Sequence, residues 1–566
     1  MIPCLTDSRR LTGANLFWDL PAAIIDARMN GHPGAFISTW SMAAKSLLER
    51  LDMSREQLTH RIFDGGFSLL ISAPVDVLYS MCELNEAAFT IALAHSDSES
   101  QAPEDADFES TVSSLRDQFE AERNPPLLAL QKSAKCHDVP FLWDDDQVSV
   151  GYGVSALIWT ADKLPAPEEI CWQEVHSIPV ALVTGTNGKS TTVRMSAAIM
   201  AAAGKQAGLT STDWIRIGTN ILDSGDYSGT GGARTLMRHP DTEVAVLETA
   251  RGGLLRRGLG VEKVAAALIT NVAADHLGDY GINTVTELIE AKFIVRRALD
   301  NGAPLILNAD DAGICKFAES LQDNIIWFSL EAENPLVLRQ LADGGQCAVL
   351  RKGWLELASG DLSRKIIANV AIPATMDGAA RHNTHNALAA MALCSVLGAG
   401  DKAIHDGLAG FKGDEDDNPG RGNWFEKDGV RILVDFAHNE HGMLALADMV
   451  SNVPSNRRIL LMGQAGDRLD KDIIDMASAA CKIRPDVILT CALPGFERGR
   501  PQSEVQSIIR NCGIEAGVAI KNIHDHGSPS KAVAAALKDA KTGDLFVFLT
   551  LTQREEVLDL VHEFIA

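Results

Sequence analysis

No two of the ten cysteines, at positions 4, 82, 136, 171, 315, 347, 394, 481, 491 and 512, stand in a CxxC arrangement. A metal knuckle or a redox dithiol is therefore not expected. A chain this long needs no disulfide staples, so reduced thiols and a cytoplasmic home are the expectation. Basic charge is not in excess either. Fifty-one Lys and Arg stand against 75 Asp and Glu, a formal net charge of −24. Neutralising phosphates needs a basic face, so nucleic acid is not the expected partner, and neither is an anionic membrane surface. A local basic cleft is still compatible with that total. No apolar run approaches the roughly 18 residues of a membrane span. The N-terminus, MIPCLTDSRRLTG, lacks the basic-then-apolar plan of a secretory leader. No short-period repeat is visible.

What is present is ordinary globular material, 46% hydrophobic and 22% charged over 566 residues, enough chain for several cores. Three blocks are expected. The first, 1–172, carries helical patches at Met42 to Leu51 and Val77 to Ala94. It also holds a polar acidic stretch, Ser96 to Ser110, that reads as a loop or linker. A two-proline break, ADKLPAPEE, from Ala161 to Glu169 reads as an interdomain connection. The second block, 173–418, alternates short apolar runs (Ile178 to Val183, Val244 to Leu247, Val264 to Ile269, Pro304 to Leu307) with helical patterns. That alternation implies a parallel sheet covered on both faces. The third block, 419–566, repeats it with runs at Arg431 to Val434, Arg458 to Met462, Val487 to Thr490 and Asp544 to Leu549. The expected fold class is α/β: an N-terminal α+β domain, a central phosphate-loop ATPase domain on a parallel sheet, and a C-terminal Rossmann-like α/β domain.

The strongest chemical signal is TGTNGKSTT, Thr184 to Thr192, between a strand and a helix. Gly185 and Gly188 let the backbone N–H groups curl toward a phosphate, and the helix N-terminus adds its dipole. Thr186 and Asn187 complete the turn. Lys189 offers a mobile positive charge, and Ser190 or Thr191 a hydroxyl for Mg²⁺. Val183 stands where the longer phosphate-loop pattern has glycine, so this is a shortened variant.

These residues resemble the phosphate loop of the Mur ligases, the ATP-dependent amide-forming enzymes of peptidoglycan synthesis. The superfamily also includes the folylpolyglutamate synthases and the C-terminal half of the cyanophycin synthetases. LETARGGLLRRGLG (247–260), TNVAADHLGDYG (270–281), IEAKFIV (289–295), LNADD (307–311), HNTHN (382–386), PGRGNWF (419–425) and VDFAHNEHG (434–442) follow in the family's order. ETARGGLLRRGLG, GQAGDRLDKDI (463–473) and ERGRPQSE (497–504) are most similar to the Mur-like half of cyanophycin synthetase. DVPFLWDDDQVSVGYG (138–153) resembles the segment that leads into that enzyme's ATP-grasp domain. Only about 20 residues separate it from the strand before the phosphate loop, too few for such a domain, so the sequence resembles a cyanophycin synthetase with its ATP-grasp half cut out.

The resemblance implies roles. Glu248, at a strand end, holds Mg²⁺ against the ATP phosphates. His276 binds a second divalent ion, for which Mn²⁺ also serves. Lys292 is carbamylated into a metal ligand, whereas the plain alternative is a surface lysine paired with Glu287 or Glu290. Asn383 and Asn386 contact adenine. Arg421 meets the γ-phosphate, and Asp435 accepts from the ribose. Asn308 and Asp311 line the nucleotide site or simply form a turn; Asn271 and Asp275 bind or orient. Catalysis is thus expected from Lys189, Glu248, His276, Lys292 and Arg421, with metal held by Ser190, Glu248, His276 and Lys292.

The implied activity is an acid–amino-acid ligase working through an acyl phosphate. The partners are an amino acid, arginine-like by analogy, and an acidic peptide-like acceptor. The acidic run Gly413 to Asp417, with Asp467 and Arg468, is a candidate selector of a cationic amino acid. Arg251, Arg256, Arg257 and Arg498 are candidates for the acceptor. The first block is expected to bind acceptor or build a homo-oligomer. The rival expectation is an ATP-binding subunit without catalysis of its own. A third keeps the chemistry with a folate or peptidoglycan acceptor.

Overall fold

The computed structural model describes residues 2–96 and 105–566. The acidic stretch read as a linker falls mostly outside them. Its end does not behave as a loop, because a helix begins at Asp105 and runs to Glu122.

The first block builds an antiparallel sheet in the order Cys4–Leu11, Ala22–Arg28, Gly66–Ser72, Leu58–Phe63. The helices Gly34–Arg50 and Leu78–Ser96 pack on it around Trp40, Phe36 and Phe89. Trp40 Nε1 donates to Asn85 Oδ1 at 2.9 Å, and Asn85 in turn donates to the carbonyls of Ala23 and Leu69. This polar network inside an apolar core ties helix to sheet. A three-stranded sheet, Phe141–Trp143, Gln147–Val150 and Leu157–Thr160, follows.

The central sheet has eleven strands. Its parallel middle runs Ala207–Thr210, Val244–Glu248, Val180–Thr184, Ala266–Ile269, Leu305–Asn308, Ile325–Ser329, Gln346–Arg351. Val180 and Leu182 enter one core and Ala181 and Val183 the other. The period of two thus gives a continuous apolar run, because both faces are covered. Antiparallel strands close the two ends, Trp214–Ile217 with Asn220–Ser224, and Trp354–Ser359 with Leu362–Ala368. The third block is a six-stranded sheet in the order Asn423–Lys427, Val430–Asp435, Asp544–Leu549, Arg457–Met462, Val487–Cys491, Ile523–His526. Its strands are parallel except the first.

The N-terminal block docks on the segment that leads to His276. Thr12 N donates to Arg257 O, Leu259 N to Ala14 O, and Arg9 Nε to Leu255 O. Farther along, Arg61 donates to Gly281 O and pairs with Glu287 at 2.7 Å. No helix among the described residues is long and apolar enough to cross a membrane.

Candidate active site

The phosphate loop leaves the strand Val180–Thr184 and opens the helix Lys189–Ala202. Gly188 has φ +82°, and a Cβ there would sit 2.3 Å from Asn386 Oδ1; at Gly185 (φ +150°) it would strike Thr270 Oγ1. A side chain at either position would be strained by the positive φ and would have to displace these polar groups. The loop is clamped from the next strand end. Asn187 N donates to Asn271 Oδ1, while Asn271 Nδ2 and Thr270 Oγ1 both donate to Asn187 O. Asn271 is therefore an orienting residue. Thr191 Oγ1 accepts from Asn418, whereas Ser190 Oγ lies 3.4 Å from Thr212 Oγ1 inside the cavity. Of the two hydroxyls, Ser190 has the weaker tie, a long contact with Thr212 against the Asn418 bond to Thr191.

One cavity of about 870 Å³ gathers the expected set. Gly185, Thr186, Asn187, Gly188, Lys189, Ser190, Thr191, Glu248, His276, Lys292, Asn308, Asn383, Asn386, Arg421 and Asp435 all line it. Glu248 ends its strand only 2% exposed, and neither carboxylate oxygen has a hydrogen-bond donor among the described residues. A buried carboxylate with both oxygens unmet is costly in free energy, and a cation delivered from the cavity would satisfy it. The donor set fits a divalent metal.

Lys292 ends the helix Val285–Lys292 and is 3% exposed, so it is no surface lysine; Glu287 is instead engaged with Thr284 and Arg61. Its Nζ donates to Gly185 O at 2.7 Å. Burial, with Lys189 nearby, drives its pKa well below the usual lysine range.

His276 lies in left-handed backbone (φ +51°), and Arg251 donates to its carbonyl at 2.5 Å. Its ring meets Asp275 and, from the third block, His438, with the three ligand atoms within 4.8 Å of one another. Arg468 donates to Asp275 Oδ1 at 2.9 Å and stands 3.0 Å from His276 Nε2. Burial lowers the His276 pKa to about 4. Burial alone would raise Asp275, but the His438 contact and the charges of His438, His276 and Arg468 hold it below the usual range.

Asn383 Nδ2 donates to Ala374 O and Asn386 Nδ2 to Asn383 Oδ1, leaving the pair stacked on the cavity wall. Asn308 donates to Thr270 O and accepts from Asp310 N; Asp311 caps the helix Ala312–Ala318. Both are engaged in shaping the turn. The acidic run 413–417 does not line the cavity. Asp417 accepts from Lys412 N, and Glu415 pairs with His562. Arg257 donates to Arg10 O, and Arg498 pairs with Asp467.

The third block is fastened to the second through Asp213, which sequence reading passed over because nothing marks it in TSTDW. Asp213 pairs with Arg194, with Arg554 at 2.5 Å, and with Arg421 at 3.8 Å. Burial opposes its charge, yet Arg421, Arg194 and Arg554 together hold its pKa below the usual range. Arg421 also donates to Thr212 Oγ1 and lies over the Phe436 ring. Across the cavity Asn187 and Asn439 exchange amide hydrogen bonds, each 3.1 Å. Asp213→Ala strands three guanidinium groups at once. It is expected to destabilise the protein by about 3 to 5 kcal/mol, read as a lower denaturant midpoint.

Asp435 accepts from Ala437 N at 2.7 Å. Burial raises its pKa to about 6, against that bond and Arg421. A carboxyl whose pKa rises on folding adds stability that is complete below the unfolded value and lost as pH climbs through the folded one. Wild type and Asp435→Asn are therefore expected to unfold alike near pH 4. By pH 7 the variant should be the more stable, by roughly 2 kcal/mol, in parallel denaturant titrations.

Residues 183–394 match the Mur ligase middle domain and residues 420–550 the Mur ligase, glutamate ligase domain, together more than half of the chain. The chain is 38% identical over 332 residues to a cyanophycin synthetase of Nostoc sp., covering 59% of this chain and 37% of that protein. It is 34% identical over 387 residues to that of Geminocystis herdmanii, covering 68% and 44%. It thus spans less than half the length of these curated relatives. Among solved structures it is similar to E. coli FolC in complex with DHPP and ADP, with a TM-score of 0.51 and 20% identity over 68% of this chain and 89% of that one. That likeness is one of fold. The two matched domains span more than half of the sequence, and the chain belongs to the Mur ligase family.

Proposed function

We propose that the chain is an ATP- and divalent-metal-dependent ligase that joins an amino acid to the carboxylate of a peptide-like acceptor. In this reading residues 173–418 bind nucleotide, 419–566 close over it and bring the amine, and 1–172 serve the acceptor. The observation that carries it is Glu248, a buried carboxylate with both oxygens unmet, facing the same cavity as the loop 185–191.

The loop N–H groups and Lys189 neutralise phosphate charge, and Arg421, held by Thr212, supplies a fixed cation from the other domain. Asn383 and Asn386 offer amide donors and acceptors to a base edge, and Asp435 a carboxylate to sugar hydroxyls. A divalent cation held by Ser190 and Glu248, with a second toward His276 and Lys292, would supply further neutralisation of the phosphates when bound. The acceptor carboxylate attacks the terminal phosphorus and the bond to ADP breaks. The amine nitrogen then attacks the acyl carbon, phosphate leaves, and the nitrogen loses a proton. Cyanophycin synthetase relatives support a peptide-like acceptor. Of the candidate selector for a cationic amino acid, the acidic run 413–417 lies outside the cavity, whereas Asp467 and Arg468 line it.

The test is ADP release by the purified chain with each of twenty amino acids, with and without acidic peptides. Stimulation by a particular amine, with the amide product seen by mass spectrometry, is expected. ATP binding without turnover in every mixture would favour the non-catalytic subunit instead.

A further inference from the structure

Four of the six residues 276–281 have positive φ: His276 at +51°, Gly278 at +100°, Tyr280 at +52° and Gly281 at +69°. For the two that carry a Cβ this backbone is disfavoured, so contacts beyond the turn have to hold it. Lys292 is tied to the same turn, because its helix starts at Val285 with Thr284 as cap. The N-terminal block supplies the hold. Arg61 reaches across from the strand Leu58–Phe63, donating to Gly281 O at 3.0 Å and to Glu287 Oε1 at 2.7 Å. The other oxygen of Glu287 accepts from Asn283 N, Thr284 N and Thr284 Oγ1, which closes the cap of the Lys292 helix. Phe63 walls off the turn, since a Cβ at Gly281 would strike its ring. Asn283 donates to Asp64 O at 3.2 Å. Arg9, paired with Asp26 at 2.5 Å, lies over the Tyr280 ring, 4.7 Å from its centroid. The carbonyl of His276 accepts from Arg251, which opens the helix Arg251–Arg257. That helix is gripped by the N-terminal block in turn, Arg9 meeting Leu255 O and Thr12 meeting Arg257 O.

We propose that the N-terminal block braces the second metal position, with Arg61 a positioning residue that sets His276 and Lys292 against the phosphate loop through the turn 276–284. The inference rests on the ligase reading and gives residues 1–172 a second duty beside serving the acceptor. Arg61 does not line the cavity; it acts through Gly281 and Glu287. Its planar fork suits the task, because one rigid guanidinium spans a carbonyl and a carboxylate at once. Lys292 Nζ stands 2.7 Å from Gly185 O, so a small slip of its helix is large on the scale of aligned phosphoryl transfer. The phosphate loop itself is clamped separately, by Thr270 and Asn271. Nucleotide binding and the brace are therefore separable.

The full chain, free of metal and nucleotide, is read by hydrogen exchange with mass spectrometry. In Arg61→Ala, segment 276–292 is expected to exchange about tenfold faster than in wild type, or more. The helix Lys189–Ala202 and the sheet of the N-terminal block should keep their protection. Phe63→Ala removes the wall without touching a charge and should act in the same direction; it carries the test should Arg61→Ala not fold. Asp144→Asn weakens the pair with Arg238, a contact between the same two blocks that does not involve the turn, and should leave 276–292 as in wild type. AMP-PNP affinity of Arg61→Ala should be unchanged, whereas kcat falls by about 10²-fold with little change in KM for ATP. Unchanged exchange over 276–292 in Arg61→Ala, or in Phe63→Ala where that one stands in, would overturn the brace. Equal acceleration in Asp144→Asn would overturn it too, by reducing the effect to docking of the blocks. Faster exchange with a normal kcat would overturn the positioning role. A wild type that binds AMP-PNP but turns over with no amine would count against the ligase reading alone, because exchange reads the brace without catalysis.

Discussion

Glu248→Gln is expected to be nearly inactive and yet more heat-resistant than the wild type. Both effects follow from the same two unmet oxygens. A glutamine keeps the shape but cannot neutralise a dication, so ADP release should fall by about 10³-fold, the scale of losing a preorganised electrostatic contact. In the metal-free protein the same change removes a buried charge whose oxygens have no donor. The first unfolding transition should then rise, by an amount equivalent to roughly 1 to 3 kcal/mol. Excess Mg²⁺ should reverse the ranking, because binding stabilises only the form that holds the ion. Differential scanning fluorimetry with and without Mg²⁺ and AMP-PNP reads all three. A glutamine variant that turns over normally, or one that is less stable without metal, would argue that Glu248 is merely structural.

Lys292→Ala is expected to lose about 10²-fold or more in turnover, and to regain part of it with a small carboxylate such as acetate. Carbamylation requires a neutral amine: nitrogen bonds to the carbon of CO₂ and sheds a proton, leaving a carboxylate at the side-chain tip. Burial lowers the amine's pKa well below the usual lysine range, which favours that neutral form. Wild type supplied with ¹³C-bicarbonate should show a carbamate carbon by NMR that the variant lacks. Lys292→Arg, which stays charged, should be neither active nor rescued. A fully active arginine variant would mean that the side chain acts only as a cation holding Gly185 O.

The parts of the site lying on one short segment were legible beforehand. TGTNGKSTT announces its turn through glycine spacing, and Glu248 and His276 each follow an apolar run that can only be a buried strand. The parallel sheets were legible for the same reason, since runs such as 180–184 and 544–549 are apolar on both faces. The strand Gly66–Ser72 was not. Its unbroken burial resembles any short apolar run, and its partners lie at Ala22–Arg28 and Leu58–Phe63. Arg468 and His438 were visible as residues, but their meeting with Asp275 depends on how the third block docks. Asp213 was invisible, because its importance comes from three arginines at 194, 421 and 554. Asp311, for which a place in the nucleotide site and a plain turn were both open, lines the cavity and caps a helix at once. Short polar side chains at strand ends serve turns and ligands with the same atoms.

The paired amides of Asn187 and Asn439 have a kinetic consequence. Amides carry no net charge, so salt leaves their mutual grip untouched, and the arginines around Asp213 are shielded from added ions by burial. The clamshell between the two α/β bodies therefore has two fasteners of different chemistry, one ionic and one uncharged. Escape of spent nucleotide would then be governed by an uncharged bolt that the surrounding medium cannot easily undo.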